Sequence, residues 1–254
     1  MNKINENLFL ENLKISNWSL DVSKSIYEIL EKPNWAEWLE ASINSIEGRS
    51  KVFPEGQFLL SNGKETLGSL STNQIYWDGN PNTLQSWDDI AGDPTTYENT
   101  YNKNGNTLVF MSMNINNKFL GLRLTDYLVG AAKDFAKLNG IKHIIGSFRP
   151  SGYGKYKLEN GYIKFEDYVN LKNNDGFSID PWLRSLQKKG MKQIKIDDVA
   201  MKVELTMEEF LKYKKTNWIE QKPGIWECGE VGNFEVKNDK AIYTEKNVWG
   251  ELPL

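Results

Sequence analysis

The sequence predicts an α/β fold: a central, mixed and twisted sheet flanked by helices, followed by an antiparallel β-rich stretch toward the C-terminus. Three observations carry that expectation. "TLVFMSMNI" (107–115) reads as a buried central strand, residues 122–139 as a helix, and "KHIIGSF" (142–148) as a second buried strand. That spacing is a crossover joining parallel or near-parallel strands. Second, two strand-like runs in "GQFLLSNGKETLGSLSTNQIYW" (56–77) flank Asn62-Gly63, the favoured pair for a tight hairpin turn. Third, "GIWECGEVGNFEVKNDKAIYTEKNVWGEL" (224–252) reads as short antiparallel strands turned at Asn238-Asp239.

The remaining elements follow in chain order. "LENLKISNWSL" (10–20) alternates as a strand does. Residues 21–48 read as two helices parted at Lys32-Pro33, the first capped by Asp21 or Ser23 and the second by Asn34, with Gly48 at its end. Residues 78–106 are a long polar connection, but Trp87, Ile90 and Tyr97 predict that it docks on the body of the protein. In the crossover helix, Leu124, Leu128, Ala131, Phe135 and Leu138 recur at steps of four and three and form the expected core face, and Asn139-Gly140 ends it. Residues 149–180, rich in Gly, Tyr and Lys, suggest a lid-like insert. Asp180 precedes a short helix with Pro181 in its first turn and Gly190 at its end. A long strand or bent strand pair (192–206) and a helix at 207–217 lead into the tail.

Composition narrows the function. The chain has 254 residues, 39% of them apolar, enough for one large domain or a domain with an extension. A net charge of −3 does not indicate a general nucleic-acid-binding surface. The one cysteine, Cys228, excludes an intramolecular disulfide and a C-x-x-C motif, and the one histidine, His143, excludes multi-histidine metal sites. No metal is expected. "MNKINENLFLENLK" lacks the apolar stretch of a signal peptide, and no run approaches membrane-spanning length, so the expected location is the cytoplasm.

The chemistry concentrates at "NNKFLGLRLTDYLV" (116–129), between the first buried strand and its helix. The first amides of a helix lack internal partners and the helix dipole favours negative charge there, so a turn that aims them at one point holds a phosphate. Lys118, Phe119, Leu120, Gly121, Leu122, Arg123, Leu124 and Thr125 form that turn. The bland alternative is that Gly121 only shapes a tight turn. The element order and the loop Lys118-Phe119-Leu120-Gly121-Leu122-Arg123 resemble the GNAT acyltransferase superfamily, whose pattern here is Arg/Gln-x-x-Gly-x-Gly/Ala. Gly121 matches, Lys118 is a basic variant, and Arg123 departs from it. "FPEGQ", "SWDDIAG", "RPSGYGKY" and "DPWLRSLQKKGM" further resemble GNAT domains fused to carbon–nitrogen hydrolases.

The resemblance covers residues 12–205, leaving 206–254 as a helix plus β-rich extension. It implies an N-acyltransferase that uses acyl-CoA as donor and a small-molecule or peptide amine as acceptor. The pantetheine arm would pair with the backbone of Met113, Asn114 and Ile115, and an amide near Met113 would polarise the thioester carbonyl. Arg123 either points to solvent, leaving the amides free, or reaches a phosphate; a loop altered in this way could also admit an acyl-carrier-protein arm. Tyr153 and Tyr156 are candidates for the acid that protonates the leaving thiolate, weighed against tyrosines packed under a lid. Glu55 is the candidate base, weighed against a solvated loop acid. Asp180 reads as a helix cap, His143 as structural, and Asp88, Asp89 and Glu98 as acceptor-side groups at most. Two other readings stay open: carrier-dependent S-acyl transfer with decarboxylation, and a non-catalytic acyl-CoA-binding module.

Overall fold

The structure, a computed structural model, describes residues 12–254. The N-terminal reading and the first two residues of the 10–20 strand lie outside that range. Contacts group the chain into two compact units: the segment up to Asp78 with Asp89–Ile144, and Gly79–Asp88 with Ile145–Pro253.

In the first unit β1 (Lys14–Asn17), β2 (Gln57–Ser61), β3 (Thr66–Ile75) and β4 (Thr107–Ile115) pair antiparallel in that order. The expected hairpin is β2–β3. Its turn has four residues rather than two: Asn62 accepts from the amides of Lys64 and Glu65, and Gly63 takes φ +80. Along β3–β4 the register jumps from Ser71–Ser112 to Thr72–Phe110, so Met111 is an extra residue that bends β4. The crossover helix α4 (Leu124–Leu138) returns the chain, and the amides of Lys142 and His143 both donate to the Asn106 carbonyl. β5 (His143–Phe148) therefore starts beside the start of β4 and runs the same way, which makes the sheet mixed.

The α4 core face is rotated from the expected one. Leu124, Leu128, Val129, Ala132 and Ala136 are buried, whereas Leu138 is 86% exposed. The step-of-four run Leu128, Ala132, Ala136 faces the sheet, because small residues let the helix approach closely. Asn139-Gly140 ends α4 as expected.

The 21–48 region also differs in detail. Helix α1 (Ser23–Ile26) continues as a π-helical turn, Tyr27–Glu31, and α2 starts only at Ile43 (Ile43–Val52). Asp21 accepts from the Ser19 hydroxyl and Ser23 lies inside the helix, so neither caps α1. Ser42, not Asn34, caps α2, accepting from the Ser45 amide. Gly48 is inside α2: a Cβ there would meet Thr96 Cγ2 at 2.2 Å, so this glycine makes room for the docked connection. That connection contains α3 (Trp87–Ala91) and buries Ile90 and Tyr97 completely, as the sequence leads one to expect. The Tyr97 hydroxyl meets Ser71 at 2.6 Å and its ring lies under Arg49.

In the second unit β10 (Lys240–Leu252) runs between β5 and β9 (Asn233–Lys237) and also pairs along β6 (Lys192–Thr206). β8 (Ile225–Glu227) and β7 (Ile219–Lys222) complete the edge. Asn238 and Asp239 turn β9 into β10 with φ of +50 and +61. Phe234 is fully buried among Phe210, Trp218 and Tyr243, with α8 (Met207–Tyr213) supplying Phe210.

The expected lid is instead two packed helices, α5 (Tyr153–Asn160) and α6 (Phe165–Asn170), with a bridge between Lys172 and Ser178. Its tyrosines carry enough apolar area to hold it down: Tyr153 packs on Phe165 and Tyr168. Asp180 caps α7 (Pro181–Lys188), accepting from the amides of Trp182 and Leu183, and also from the Gly152 amide and the Tyr168 hydroxyl. Fully buried, it joins the insert to the helix that follows. Replacing it by alanine strands several buried donors at about 1–3 kcal/mol each. Asp180→Ala is therefore expected to lose at least about 3 kcal/mol of unfolding free energy, measured by urea titration; a loss below about 1 kcal/mol would contradict this.

Candidate functional site

The turn from β4 into α4 is built by backbone geometry. Asn116 fixes its start, donating to the Thr66 carbonyl and accepting from the Lys118 amide. After a short 3-10 turn (Asn117–Phe119), Gly121 takes φ +88 and Arg123 φ +55. The left-handed dihedral at Arg123 costs roughly 1 kcal/mol in any residue but glycine. The family pattern's small residue at this position has a conformational reason. Among the described residues, the amides of Gly121, Arg123, Leu124 and Thr125 meet no backbone carbonyl. A Cβ placed on Gly121 would have nothing within 4 Å, so an approaching group has room there.

Arg123 does not reach into this turn. Its guanidinium folds back onto Asp126, with Nη2 2.8 Å from a carboxylate oxygen, and the side chain is 84% exposed. Of the two sequence-derived alternatives, this geometry is the one that leaves the amides free. Lys118 is exposed and lines a neighbouring cleft of about 480 Å³ with Ser25, Ile29, Lys64, Thr66 and Asn117. Leu120 is exposed, and Phe119 and Leu122 are half-buried.

At the end of β4, Asn114 is buried and Met113 and Ile115 are half-buried. The Asn114 side chain donates to Glu31 Oε2 at 2.7 Å and accepts from the Trp35 indole at 2.9 Å. Asn34 donates to the Ile115 carbonyl. Glu31 ends the π-helical turn of α1, is 4% exposed, and also accepts from the Ala41 amide at 2.8 Å. Burial is the largest influence on its carboxyl and lifts it above the ordinary 4.5, with Glu40 adding to the rise; the Ala41 amide, Arg49 and Asn114 pull the other way. Sequence reasoning missed Glu31. Its only signal is an acid at the position that closes an apolar helix face carrying Ile26 and Leu30.

The other candidates sit as follows. Glu55 is exposed in the 3-10 turn Pro54–Gly56, and its backbone carbonyl accepts from Asn17. Tyr153 and Tyr156 belong to the second unit. The Tyr153 hydroxyl donates to the Ile163 carbonyl at 2.8 Å, and burial pushes its pKa well above the usual phenol value, making it a weaker acid. Tyr156 is half-buried against Tyr168, and among the described residues its hydroxyl has no hydrogen bond. His143 lies edge-on to Trp77. Cys228 is buried, which pushes its thiol up to about 12 and suits a core residue, not a nucleophile. No group of three or more His, Cys, Asp or Glu that could hold a metal occurs among the described residues. None of their helices is long and apolar enough to cross a membrane.

The comparisons bear on the fold. The loading GNATL domain of CurA from Lyngbya majuscula superposes with a TM-score of 0.66 at 15% identity, over 94% of this chain and 96% of that one. The GphF GNAT-like decarboxylase in complex with isobutyryl-CoA gives 0.65 at 16%, over 94% and 98%. The fold is thus that of the GNAT domains. In sequence, the chain is 31% identical over 107 residues to the probable hydrolase YhcX of Bacillus subtilis (strain 168), which is 42% of this chain but 20% of that protein. The chain thus matches only a fifth of the length of that relative. No family profile matches the chain.

Two outcomes test the site. Arg123→Gly relieves the left-handed dihedral and gives up only an exposed ion pair worth at most about 0.5 kcal/mol. Stability should stay level or rise by up to about 1 kcal/mol in urea titration; a clear loss would mean that the side chain holds the turn. For Glu31, the folded protein binds the extra proton between the ordinary and the raised value. Stability therefore falls as pH rises from about 4.5 and levels off above the raised value. Glu31→Gln should remove that slope when urea midpoints are compared from about pH 4 to 8; an unchanged slope would assign it elsewhere.

Proposed function

We propose that this chain, which has the GNAT fold, is an acyltransferase moving an acyl group from an acyl thioester such as acyl-CoA to an amine, by direct attack in a ternary complex. The observation that carries this reading is the turn at Gly121–Thr125, where the consecutive amides of Arg123, Leu124 and Thr125 at the start of a 15-residue helix meet no backbone carbonyl and the backbone at Gly121 is open to a close approach. Such a turn suits a pyrophosphate. The pantetheine arm would then run back along Ile115, Asn114 and Met113, with an amide near Met113 holding the charge that develops on the thioester oxygen. The amine nitrogen attacks the thioester carbon and gives up a proton, the carbon–sulfur bond breaks, and the thiolate leaves as a thiol. Tyr156, with its hydroxyl unengaged, suits protonation of the thiolate better than Tyr153, whose hydroxyl is committed to Ile163. Glu55, exposed at its turn, serves as base directly or through one water. Cytoplasmic location fits such a donor.

One alternative has its own support. The two structures that superpose best above are, by their own descriptions, a loading domain and a decarboxylase bound to isobutyryl-CoA. Under that reading malonyl-CoA loses carbon dioxide and its α-carbon takes a proton; a carrier thiol then gives up its proton and attacks the acetyl thioester, whose carbon–sulfur bond to coenzyme A breaks, and coenzyme A leaves as the thiol.

Free thiol release from several acyl-CoAs, with and without a panel of amines, tests the first reading. Amine-dependent release supports it. Acetyl transfer from malonyl-CoA to a carrier protein, seen by mass spectrometry without amine dependence, would replace it. Coenzyme A binding without release of any kind would leave a binding module. Gly121→Ala forces a side chain into a left-handed dihedral and turns the amides away. It should weaken coenzyme A binding about tenfold by calorimetry, equivalent to about 1.4 kcal/mol. Unaltered affinity would remove this turn from the donor site.

A further inference from the structure

A buried carboxylate is costly unless its oxygens are partnered, and a π-helical turn interrupts ordinary helix pairing and is frequent at functional sites. Both features coincide at Glu31. The partners are specific. Asn114 Nδ2 donates to Glu31 and lies 3.2 Å from the Ser112 hydroxyl. The opposite orientation of that amide would set its oxygen against the Glu31 carboxylate, so the carboxylate dictates which end of Asn114 faces it. The amide oxygen is thereby left to accept from the Trp35 indole. Asn34 adds a second tie, bridging the Leu30 and Ile115 carbonyls. The segment 31–35 is fastened to the last residues of β4, those the proposed function gives to the pantetheine arm, and Trp35 is only half-buried.

We infer that Glu31 is a positioning residue for the donor: through Asn114 it sets the Trp35 indole beside the Asn114–Ile115 end of β4, where the ring walls the pantetheine arm. This rests on the acyltransferase reading and names a specificity element in the same site. A purely structural tie would seal α1 onto the sheet and leave donor recognition untouched.

The test compares the full-length wild-type chain with Trp35→Phe, Glu31→Gln and the double variant, using acetyl-CoA and the best amine from the panel. Each single change should raise the donor KM about fivefold or more with kcat within about twofold, and the double variant should be no worse than the weaker single, since both act through one contact. Indole NMR gives a readout that does not need turnover. The sequence has nine tryptophans; Trp35→Phe identifies one signal, which Glu31→Gln should shift and open to faster solvent exchange. Titration of the wild type with coenzyme A should move the same signal. An unchanged donor KM in Trp35→Phe, multiplying effects in the double variant, or a Trp35 signal indifferent to bound coenzyme A would each overturn the inference. If Glu31→Gln does not fold, Trp35→Phe and the titration still decide it. A wild type that turns over no thioester would sink the proposed function instead, and the titration then decides whether Trp35 meets the ligand.

Discussion

The first unit is organised by the need to satisfy a carboxylate that its own fold buries. Glu31 closes the π-helical turn that carries Leu30 into a core with Trp18, Ile26, Ile46 and Leu59, and its own side chain is buried. A charge there needs donors of fixed direction. The Ala41 amide provides one, which sets where the chain turns before α2. Asn114 provides the other, which ties the helical layer to β4 close to where β4 gives way to the turn at Gly121. One polar requirement thus links α1, the approach to α2 and the end of the central strand.

The second unit solves a similar problem with ion pairs. Lys157 is buried on α5, 2.6 Å from Glu227, and also donates to the Val231 carbonyl and Asn233. Arg149 lies between Glu230 and Glu245, and Tyr243 donates to Glu245. Breaking one partner of such a pair costs far more than the pair itself contributes, because the remaining charge stays buried. These pairs fix the insert on β8–β10, the strands of the tail. They help explain why a Gly- and Tyr-rich segment that reads as a lid-like insert is folded down as two helices.

Much of the fold was legible because periodicity and turn chemistry are local. Strand β4, the 62–63 turn, the Asn139-Gly140 stop, the Asp180 cap and the 238–239 turn are each announced by residues within a few positions. The turn at Gly121 was legible as a turn for the same reason, since Gly121 and the helix after it are contiguous. What escaped depends on contacts distant in sequence. Gly48 looks like a helix stop, and only Thr96 explains it as a clearance. Asn34 looks like a cap, and only Leu30 and Ile115 reveal its use. Glu31 looks like a surface acid in a charged helix, and its partner is 83 residues away. The face of α4 was misjudged by one residue because its alanines, weak in any apolar count, are what let it lie close.

Arg123 carries a wider consequence. It occupies a left-handed dihedral that a small residue adopts more easily, yet its side chain leaves for Asp126 and takes no part in the turn. A ligand held by main-chain amides senses torsion angles, and these can persist after the letters that encode them most cheaply have drifted. On the proposed reading, the side chain at position 123 trades a small folding penalty and not a ligand contact. Searches keyed to the letters of this loop would pass over chains that keep its shape, whereas a comparison of backbone dihedrals would retrieve them.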